Sequence, residues 1–218
     1  MNQIKHHLTD ALLMAYSAGS LPEAFNLVVA THISMCDDCR ARAESFDAVG
    51  GALLEEIDDE VVSVGNDSFA ATMALIKAGT STPIAAPDRV SDPVLPAPLL
   101  DYVGGDLSAV NWKPVGMGVK QAILQTSPDA SARLLFIPAG TAVPDHGHKG
   151  TELTLVLQGA FQDDADRFGR GDVEIADEDL HHTPVADPGQ DCICLAATDA
   201  PLKFRGLIPK MAQPFLRL

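Results

Sequence analysis

One histidine and two cysteines in the first third of the chain have the spacing of metal ligands. His32, Cys36 and Cys39 follow the pattern H-x3-C-x2-C. If this stretch is helical or turn-like, the three side chains lie one turn apart and converge on one point. A fourth ligand is available upstream in the pair His6–His7. Two imidazoles and two thiolates complete a structural zinc site, whereas a C-x2-C pair alone would also suit a thiol redox site. The added histidines favour zinc.

A second group of candidate ligands lies in the C-terminal half. On an extended strand His146 and His148 point to the same face, because side chains alternate with a period of two. Glu152 can reach that face from the next strand, and the pair His181–His182 offers a further histidine. Three histidines and one glutamate suit zinc, iron, manganese or nickel. We therefore expect a second metal centre here.

Two further cysteines, Cys192 and Cys194, also point to one face of a predicted strand. Neighbouring thiols of this kind are candidates for an oxidation sensor. A direct disulfide between residues i and i+2 is awkward, because the side chains run parallel and the Cα atoms lie near the upper limit of separation. Buried free cysteines are common in β cores, so we favour a packing role.

Charge and composition exclude several classes of protein. The 218-residue chain has a net charge of −15, which argues against direct binding to nucleic acid and favours a basic protein partner. No apolar run reaches the length of a membrane span, and the N-terminus lacks the apolar segment of a signal peptide. We expect a cytoplasmic protein with reduced thiols and no membrane association.

The N-terminal ligands require helices to position them. Apolar residues at helical spacing predict about four helices, over residues 8–16, from a capping box at Ser20–Glu23 onward, from about 36 to 54, and over 67–78. The second is apolar almost all round and carries His32 in its last turn, so it is expected at the core of a small bundle. The fourth either folds back on that bundle or offers its apolar stripe to another protein.

A proline-rich stretch separates this bundle from a second domain. The five prolines between Thr80 and Pro98 predict a linker, which divides the chain into a helical domain (1–80), a linker (81–98) and a β domain (99–218). Short apolar runs separated by Gly, Pro and Asp predict an antiparallel sandwich or barrel in the last part. The fold class is therefore multidomain α plus β. The small helical domain needs extra stabilisation, which bound zinc would supply.

The second domain resembles a cupin, and so implies a cupin β-barrel or jelly roll. Five residues match the first cupin motif, G-x5-H-x-H-x3-E-x6-G, at every spacing: Gly140, His146, His148, Glu152 and Gly159. The second motif is half kept, with Gly171 in first place but Asp177, Asp179 and Ala186 at its usual proline, glycine and asparagine. Counting through that frame places His182, not His181, at the metal position.

A helical domain with this ligand spacing joined to a cupin resembles the ChrR-type anti-sigma factors, of the zinc-binding anti-sigma family. The likeness covers nearly the whole chain, and the family spacing H-x24-H-x3-C-x2-C selects His7 over His6 as the fourth ligand. It implies that the helical domain binds an extracytoplasmic-function sigma factor in a 1:1 complex and occludes its RNA polymerase surfaces. It also implies that the cupin is needed for the response to singlet oxygen or related oxidants, after which the sigma factor is released. By the same resemblance the metal of the cupin is zinc, and its role is sensing without enzymatic turnover.

The charge of the helical domain agrees with such a partner. Residues 1–85 contain four Lys and Arg against twelve Asp and Glu, a net charge of −8, which suits a sigma factor with basic surfaces for promoter DNA. Most of these carboxylates would serve only to keep the domain in solution. A metal-dependent cupin dioxygenase or isomerase is the alternative, but it explains only the second half. A zinc-finger DNA-binding protein conflicts with the charge.

Overall fold

The computed structural model of the chain describes residues 3–56, 65, 67–79, 91–201 and 203–204. Its helices are α1 (Asp10–Ser17), α2 (Glu23–Ile33), α3 (Asp37–Glu56), α4 (Ser68–Ala78) and α5 (Ala97–Val103). The first four confirm the four helices that the sequence predicts. Helix α5 was not predicted. It begins inside the proline-rich stretch, and it tolerates Pro98 because a proline in the first turn removes no helical hydrogen bond. Residues 81–90 of the predicted linker lie outside the described residues, so the domain boundaries stay a prediction.

The N-termini of α1 and α2 are capped differently. Thr9 caps α1, because its side chain accepts a hydrogen bond from the backbone N–H of Leu12. The predicted capping box of α2 is wrong: Ser20 Oγ donates to the carbonyl of Ala15 instead, and Pro22 precedes the helix without a side-chain cap.

Glu23 joins α2 to the C-terminal part of the chain. Its Oε1 accepts a hydrogen bond from the Tyr102 hydroxyl at 2.8 Å, and its Oε2 accepts one from the backbone N–H of Ser127 at 2.6 Å. Tyr102 belongs to α5, so a single carboxylate fastens α2 to both α5 and the β domain. A residue that the sequence indicated as a local cap is thus a tertiary contact.

The C-terminal part is built of antiparallel strands. They are β1 (Lys113–Gly116), β2 (Val119–Leu124), β3 (Ser131–Ile137), β4 (His146–Gly147), β5 (Glu152–Gln158), β6 (Ala160–Gln162), β7 (Arg167–Gly169), β8 (Val173–Ala176), β9 (His181–His182), β10 (Val185–Ala186), β11 (Cys192–Thr198) and β12 (Lys203–Phe204). A six-stranded sheet has the order β1-β2-β3-β11-β5-β8, and two three-stranded sheets have the orders β10-β6-β7 and β12-β4-β9. This cupin-like β-sandwich confirms the predicted β architecture.

One face of the large sheet packs against the helices. Helix α2 contacts β3, β5 and β11 as well as α1, α3 and α5. Its Val28 and the strand residues Leu155 and Leu195 belong to one continuous apolar cluster, and all three are fully buried. Burying each such side chain contributes about 1.5–3 kcal/mol. The helix is apolar almost all round because the bundle covers one side and the sheet covers the other.

The opposite face of the large sheet lines the interior of the sandwich. A second apolar cluster there includes Val156, Phe161 and the two cysteines of β11. Polar side chains are buried on the same side, since Thr154 alternates in phase with Val156 and lies opposite Glu174 in the register of β5 and β8. A buried polar interior of this kind needs hydrogen-bond or ionic partners. The second group of histidines lies beside it.

Helix α4 stands apart from both clusters. Every residue of α4 is exposed except Met73, which is partly buried. Within the described residues the helix therefore does not fold back onto the bundle, which was one of its two predicted roles. No helix in the described parts of the chain is long and apolar enough to span a membrane.

Candidate metal centres

The structure brings the four predicted N-terminal ligands together. The ligand atoms of His7, His32, Cys36 and Cys39 all lie within 4.8 Å of one another. His7 Nδ1 is 3.3 Å from the sulfur of Cys36 and 3.6 Å from that of Cys39. His32 lies at the end of α2, Cys36 in the following turn, Cys39 in the first turn of α3, and His7 in the extended segment before α1. Four N and S ligands with no position left over are typical of a structural metal site.

Burial determines the protonation state of His32. His32 is fully buried, and this burial lowers its pKa to about 4, so the imidazole is neutral and can bind a metal at pH 7. Its Nδ1 donates a hydrogen bond to the carbonyl of Gly171 at 2.9 Å. The other nitrogen, Nε2, is buried and has no hydrogen-bond partner among the described residues. A ligand histidine held by one nitrogen presents the other to the metal.

The thiol of Cys39 needs a nearby cation to ionise. Burial raises its pKa, and the guanidinium of Arg42 lies 3.7 Å from its sulfur. Arg42 is itself held by Asp10 of α1 through two hydrogen bonds, of 2.5 and 3.0 Å. A metal ion would deprotonate such a thiol outright. The arrangement thus fits a bound cation better than a redox pair.

The neighbouring histidine, His6, lies outside the group. Its Nε2 is 3.0 Å from Asp166 Oδ2, and its ring packs on Phe168 with centroids 4.3 Å apart. The adjacent residues His6 and His7 therefore point in different directions. The geometry places His7, and not His6, in the group of four residues that could hold a metal ion.

Three histidines form the second group, in the sandwich. The ligand atoms of His146, His148 and His182 lie within 4.8 Å of one another, and all three residues are buried. Strands β4 and β9 pair with His146 directly opposite His182, which brings their Nε2 atoms to 3.3 Å. Burial lowers the pKa of His146 and of His148 to about 4, so both rings are neutral. His181, by contrast, is exposed, as expected of a surface neighbour.

His148 gives the strongest indication that a metal ion binds in this group. Both of its ring nitrogens are buried, and neither has a hydrogen-bond partner in the described part of the chain. Leaving a buried polar atom unpaired costs about 1–3 kcal/mol. A metal ion bound between the three rings would satisfy one of these nitrogens.

The predicted fourth ligand, Glu152, lies at the edge of this group. Its Oε2 is 3.8 Å from His148 Nδ1, and Oε1 accepts a hydrogen bond from Thr154 Oγ1 at 3.2 Å. It is not among the three residues whose ligand atoms all lie within 4.8 Å. Burial raises the pKa of Glu152 to about 7, which a bound cation would reverse. Glu152 stays a predicted ligand.

Sequence reasoning missed two carboxylates that hold His182. Asp163 Oδ2 and Glu174 Oε1 lie 3.0 and 3.1 Å from its Nδ1. Burial alone would lower the pKa of His182, but the hydrogen bonds to Glu174 and Asp163 raise it. With Nδ1 held in this way, Nε2 faces His146. The alternation of β8 could have indicated that Glu174 points inward, whereas Asp163 sits in an acidic turn that resembles an ordinary exposed loop.

The two cysteines of β11 form no disulfide. Their sulfurs are 3.5 Å apart, and both side chains are buried in the apolar cluster of the interior. The hydrogen bond with Cys192, together with burial, raises the pKa of Cys194 well above its usual range. A protonated thiol is a poor nucleophile, so these contacts favour the packing role. An oxidation-sensing role for Cys192 and Cys194 stays a hypothesis.

Comparisons with known proteins extend this description. Residues 102–201 match the family described as the ChrR cupin-like domain. The anti-sigma-E factor ChrR of Cereibacter sphaeroides is 61% identical to the chain over 215 residues, which is 99% of each protein. The chain also resembles a crystal structure of Rhodobacter sphaeroides SigE in complex with the anti-sigma ChrR, with 58% identity and a TM-score of 0.77, over 90% of this chain and 100% of the matched one.

Proposed function

Because the chain belongs to the family of ChrR anti-sigma factors, we propose that it binds an extracytoplasmic-function sigma factor and keeps it from RNA polymerase. The observation that carries this function is the 61% identity over 99% of both chains to an anti-sigma factor. The role is regulatory rather than enzymatic. Because RNA polymerase is its point of action, the protein works in the cytoplasm and without direct contact to nucleic acid.

The exposed apolar side chains of α3 and α4 are the surface that we assign to the sigma factor. Six of them are more than half exposed: Val49, Leu53, Leu54, Phe69, Leu75 and Ile76. Large apolar side chains exposed on two consecutive helices indicate a protein-binding surface, since soluble domains seldom leave apolar patches uncovered. The first turn of α3 and its last two residues are acidic. This charge complements the basic surfaces with which a sigma factor binds DNA.

Zinc is the metal that we propose for the N-terminal centre of His7, His32, Cys36 and Cys39. The two sulfurs and two imidazole nitrogens are the ligand set that zinc prefers in closed sites. Bound zinc would hold the start of α1, the end of α2 and the start of α3 together. In small zinc domains such binding contributes about 10–16 kcal/mol to folding. The metal would therefore fix the relative position of the helices that meet the sigma factor.

A second zinc, in the cupin centre, is proposed for the sensing step. His146, His148, Glu152 and His182 are its ligands, and singlet oxygen or a related oxidant is the signal that releases the sigma factor. The support is the group of three buried imidazoles, whose ligand atoms lie within 4.8 Å of one another. Residues 1–80 then form the inhibitory domain, 81–98 the linker and 99–218 the sensing domain.

Transcription in vitro tests the inhibitory function. RNA polymerase is reconstituted with an extracytoplasmic-function sigma factor from the same genome and a promoter that it recognises. One equivalent of the purified chain should abolish the transcript, while transcription by the housekeeping sigma factor should continue. If an excess of the folded chain leaves every such sigma factor of that genome active, the proposed function is wrong.

A further inference from the structure

We infer that one corner of the cupin, residues 171–174 at the start of β8, positions ligands of both metal centres, with Asp172 as a positioning residue of the N-terminal one. The two ligand groups belong to parts of the chain that the sequence separates by a linker. The corner touches both groups within four consecutive residues. The inference rests on the proposal that both groups bind metal, and it does not depend on a sigma factor.

The corner forms hydrogen bonds with the N-terminal segment that precedes His7. Asp172 is 4% exposed, and its Oδ1 accepts hydrogen bonds from the backbone N–H groups of Lys5 at 2.6 Å and His6 at 2.9 Å. The N–H of Val173 donates to the carbonyl of His6 at 3.2 Å. Because these three bonds fix the two residues before His7, a carboxylate of the cupin sets where that ligand lies.

The same corner orients a second ligand of the N-terminal centre. The carbonyl of Gly171 accepts the hydrogen bond from His32 Nδ1. Gly171 has a φ of +91°, and a Cβ there would lie 2.6 Å from the Cδ1 of Ile4. The positive φ favours glycine at this position, and a larger residue would also displace the side chain of Ile4. Two of the four ligands depend on the cupin, whereas Cys36 and Cys39 come from the helices alone.

On its other side the corner reaches the cupin centre. Glu174, two residues after Asp172, lies 3.1 Å from His182 Nδ1 through its Oε1. The corner is tied to β5 by two backbone hydrogen bonds with Val156, of 2.8 Å to Gly171 and 3.1 Å to Asp172. A segment fixed in this way moves as one piece. Any rearrangement of His182 on loss of its metal therefore reaches His32 and His7 through four residues.

Metal release from the N-terminal centre tests the inference in the full-length protein. Only this centre has thiolate ligands in the proposed assignment, so Co2+ bound there is followed by its thiolate-to-metal charge-transfer absorption while a chelator is added. Asp172→Ala should speed the loss of that absorption by about 10-fold, the lower end of what removal of a group that orients a metal ligand costs in affinity. Asp166→Ala is the matched control, since the Asp166 carboxylate contacts the ring of His6 and the backbone N–H of Arg167 rather than the backbone that leads to His7. It should release Co2+ at the wild-type rate.

A double-mutant cycle tests the coupling between the centres. His148→Ala removes a cupin ligand without touching the corner, and it should speed Co2+ loss from the N-terminal centre several-fold in the wild-type background. In the Asp172→Ala background its effect should be smaller, because the contact of Asp172 with the N-terminal segment no longer transmits it. The inference is overturned if folded Asp172→Ala releases Co2+ at the wild-type rate, or if His148→Ala has the same effect in both backgrounds.

Gly171→Ala provides the test if Asp172→Ala fails to fold. The added methyl group should push Ile4 away from the corner and speed Co2+ release, and Ile4→Ala in the same chain should restore part of the retention by removing the clash. Wild-type release from Gly171→Ala would contradict the positioning role. So would an equal loss in the single and double variants, because the effect would then owe nothing to the N-terminal segment.

Discussion

At the scale of single residues, ligand type and spacing predicted most of the residues that the structure gathers into two groups able to hold a metal. The spacing of His32, Cys36 and Cys39 was sufficient because one local turn presents all three. The residues alone could not show whether His6 or His7 is the fourth ligand. Two adjacent histidines have the same chemistry and differ only in where their side chains point. That direction is set by Asp172, which lies 166 residues after His6 along the chain and accepts a hydrogen bond from its backbone N–H. Long-range contacts of this kind leave no local pattern in a sequence.

Exchanging the two adjacent histidines one at a time tests the N-terminal assignment. His7→Ala should lose the N-terminal zinc and lower the temperature of unfolding, because only three ligands remain. His6→Ala keeps its backbone hydrogen bond to Asp172 and should retain the zinc. Zinc per chain after dialysis measures both. Retention of zinc by His7→Ala and its loss from His6→Ala would contradict the assignment.

The pKa of Glu152 predicts how the stability of the metal-free protein varies with pH. A carboxyl whose pKa is raised from 4.5 to about 7 contributes stability that is complete below pH 4.5 and is lost as the pH rises through about 7. Glu152→Gln cannot ionise and avoids that loss. Between pH 4.5 and 8 the wild-type protein should therefore lose on the order of 3 kcal/mol relative to Glu152→Gln.

Urea denaturation of both metal-free proteins across this pH range measures the difference. Adding zinc to the wild-type protein should remove the loss, since a cation beside Glu152 favours its ionised form. Parallel pH profiles of the two metal-free proteins would show that the carboxyl titrates as an exposed group does.

At the scale of helices and strands, periodicity predicted the elements better than their partners. The all-round apolarity of α2 correctly indicated burial on several sides, but a pattern cannot name what covers them, and one cover is the β-sheet. The capping signal before α2 failed because Glu23 is used by Tyr102 and Ser127. Helix α5 was missed because a proline-rich stretch predicts a linker. A proline in the first turn of a helix, such as Pro98, gives the same signal.

Helix α4 carries the prediction that belongs to this scale. Phe69→Asp should weaken sigma-factor binding by about 10-fold, because an aromatic anchor at an interface contributes more than 1 kcal/mol and 1.4 kcal/mol is tenfold in affinity. The fold should not change, since the side chain is 77% exposed. Calorimetric titration measures the affinity. Met117→Ser, an exposed apolar residue of the cupin, is the matched control and should bind as the wild type does; equal affinity of Phe69→Asp would remove α4 from the interface.

At the scale of the whole molecule, the helices and the sheet share one apolar cluster. The sequence indicated two bodies joined by a linker, since local patterns report the composition of each part but not a contact between them. The shared core and the corner at residues 171–174 connect the cupin directly to the helices. A change in one part can thus reach the other without a long-range rearrangement.

This division of roles predicts separate effects of cupin variants. His148→Ala and Glu152→Ala should leave the inhibition of transcription intact, because the apolar surface of α3 and α4 is untouched. Release of the sigma factor after exposure to singlet oxygen should be blunted in both. The measurement is transcription from the target promoter with and without a photosensitiser and light. Loss of inhibition in the dark would show that the two roles are not separable.

The central claim is that a metal-organised helical domain holds a sigma factor, and native mass spectrometry of the copurified complex tests it most directly. The wild-type chain should give a 1:1 complex with the sigma factor that retains zinc. The Cys36→Ser and Cys39→Ser variants should lose the N-terminal zinc and the sigma factor together. A metal-free variant that still folds and still holds the sigma factor in a 1:1 complex would contradict the account.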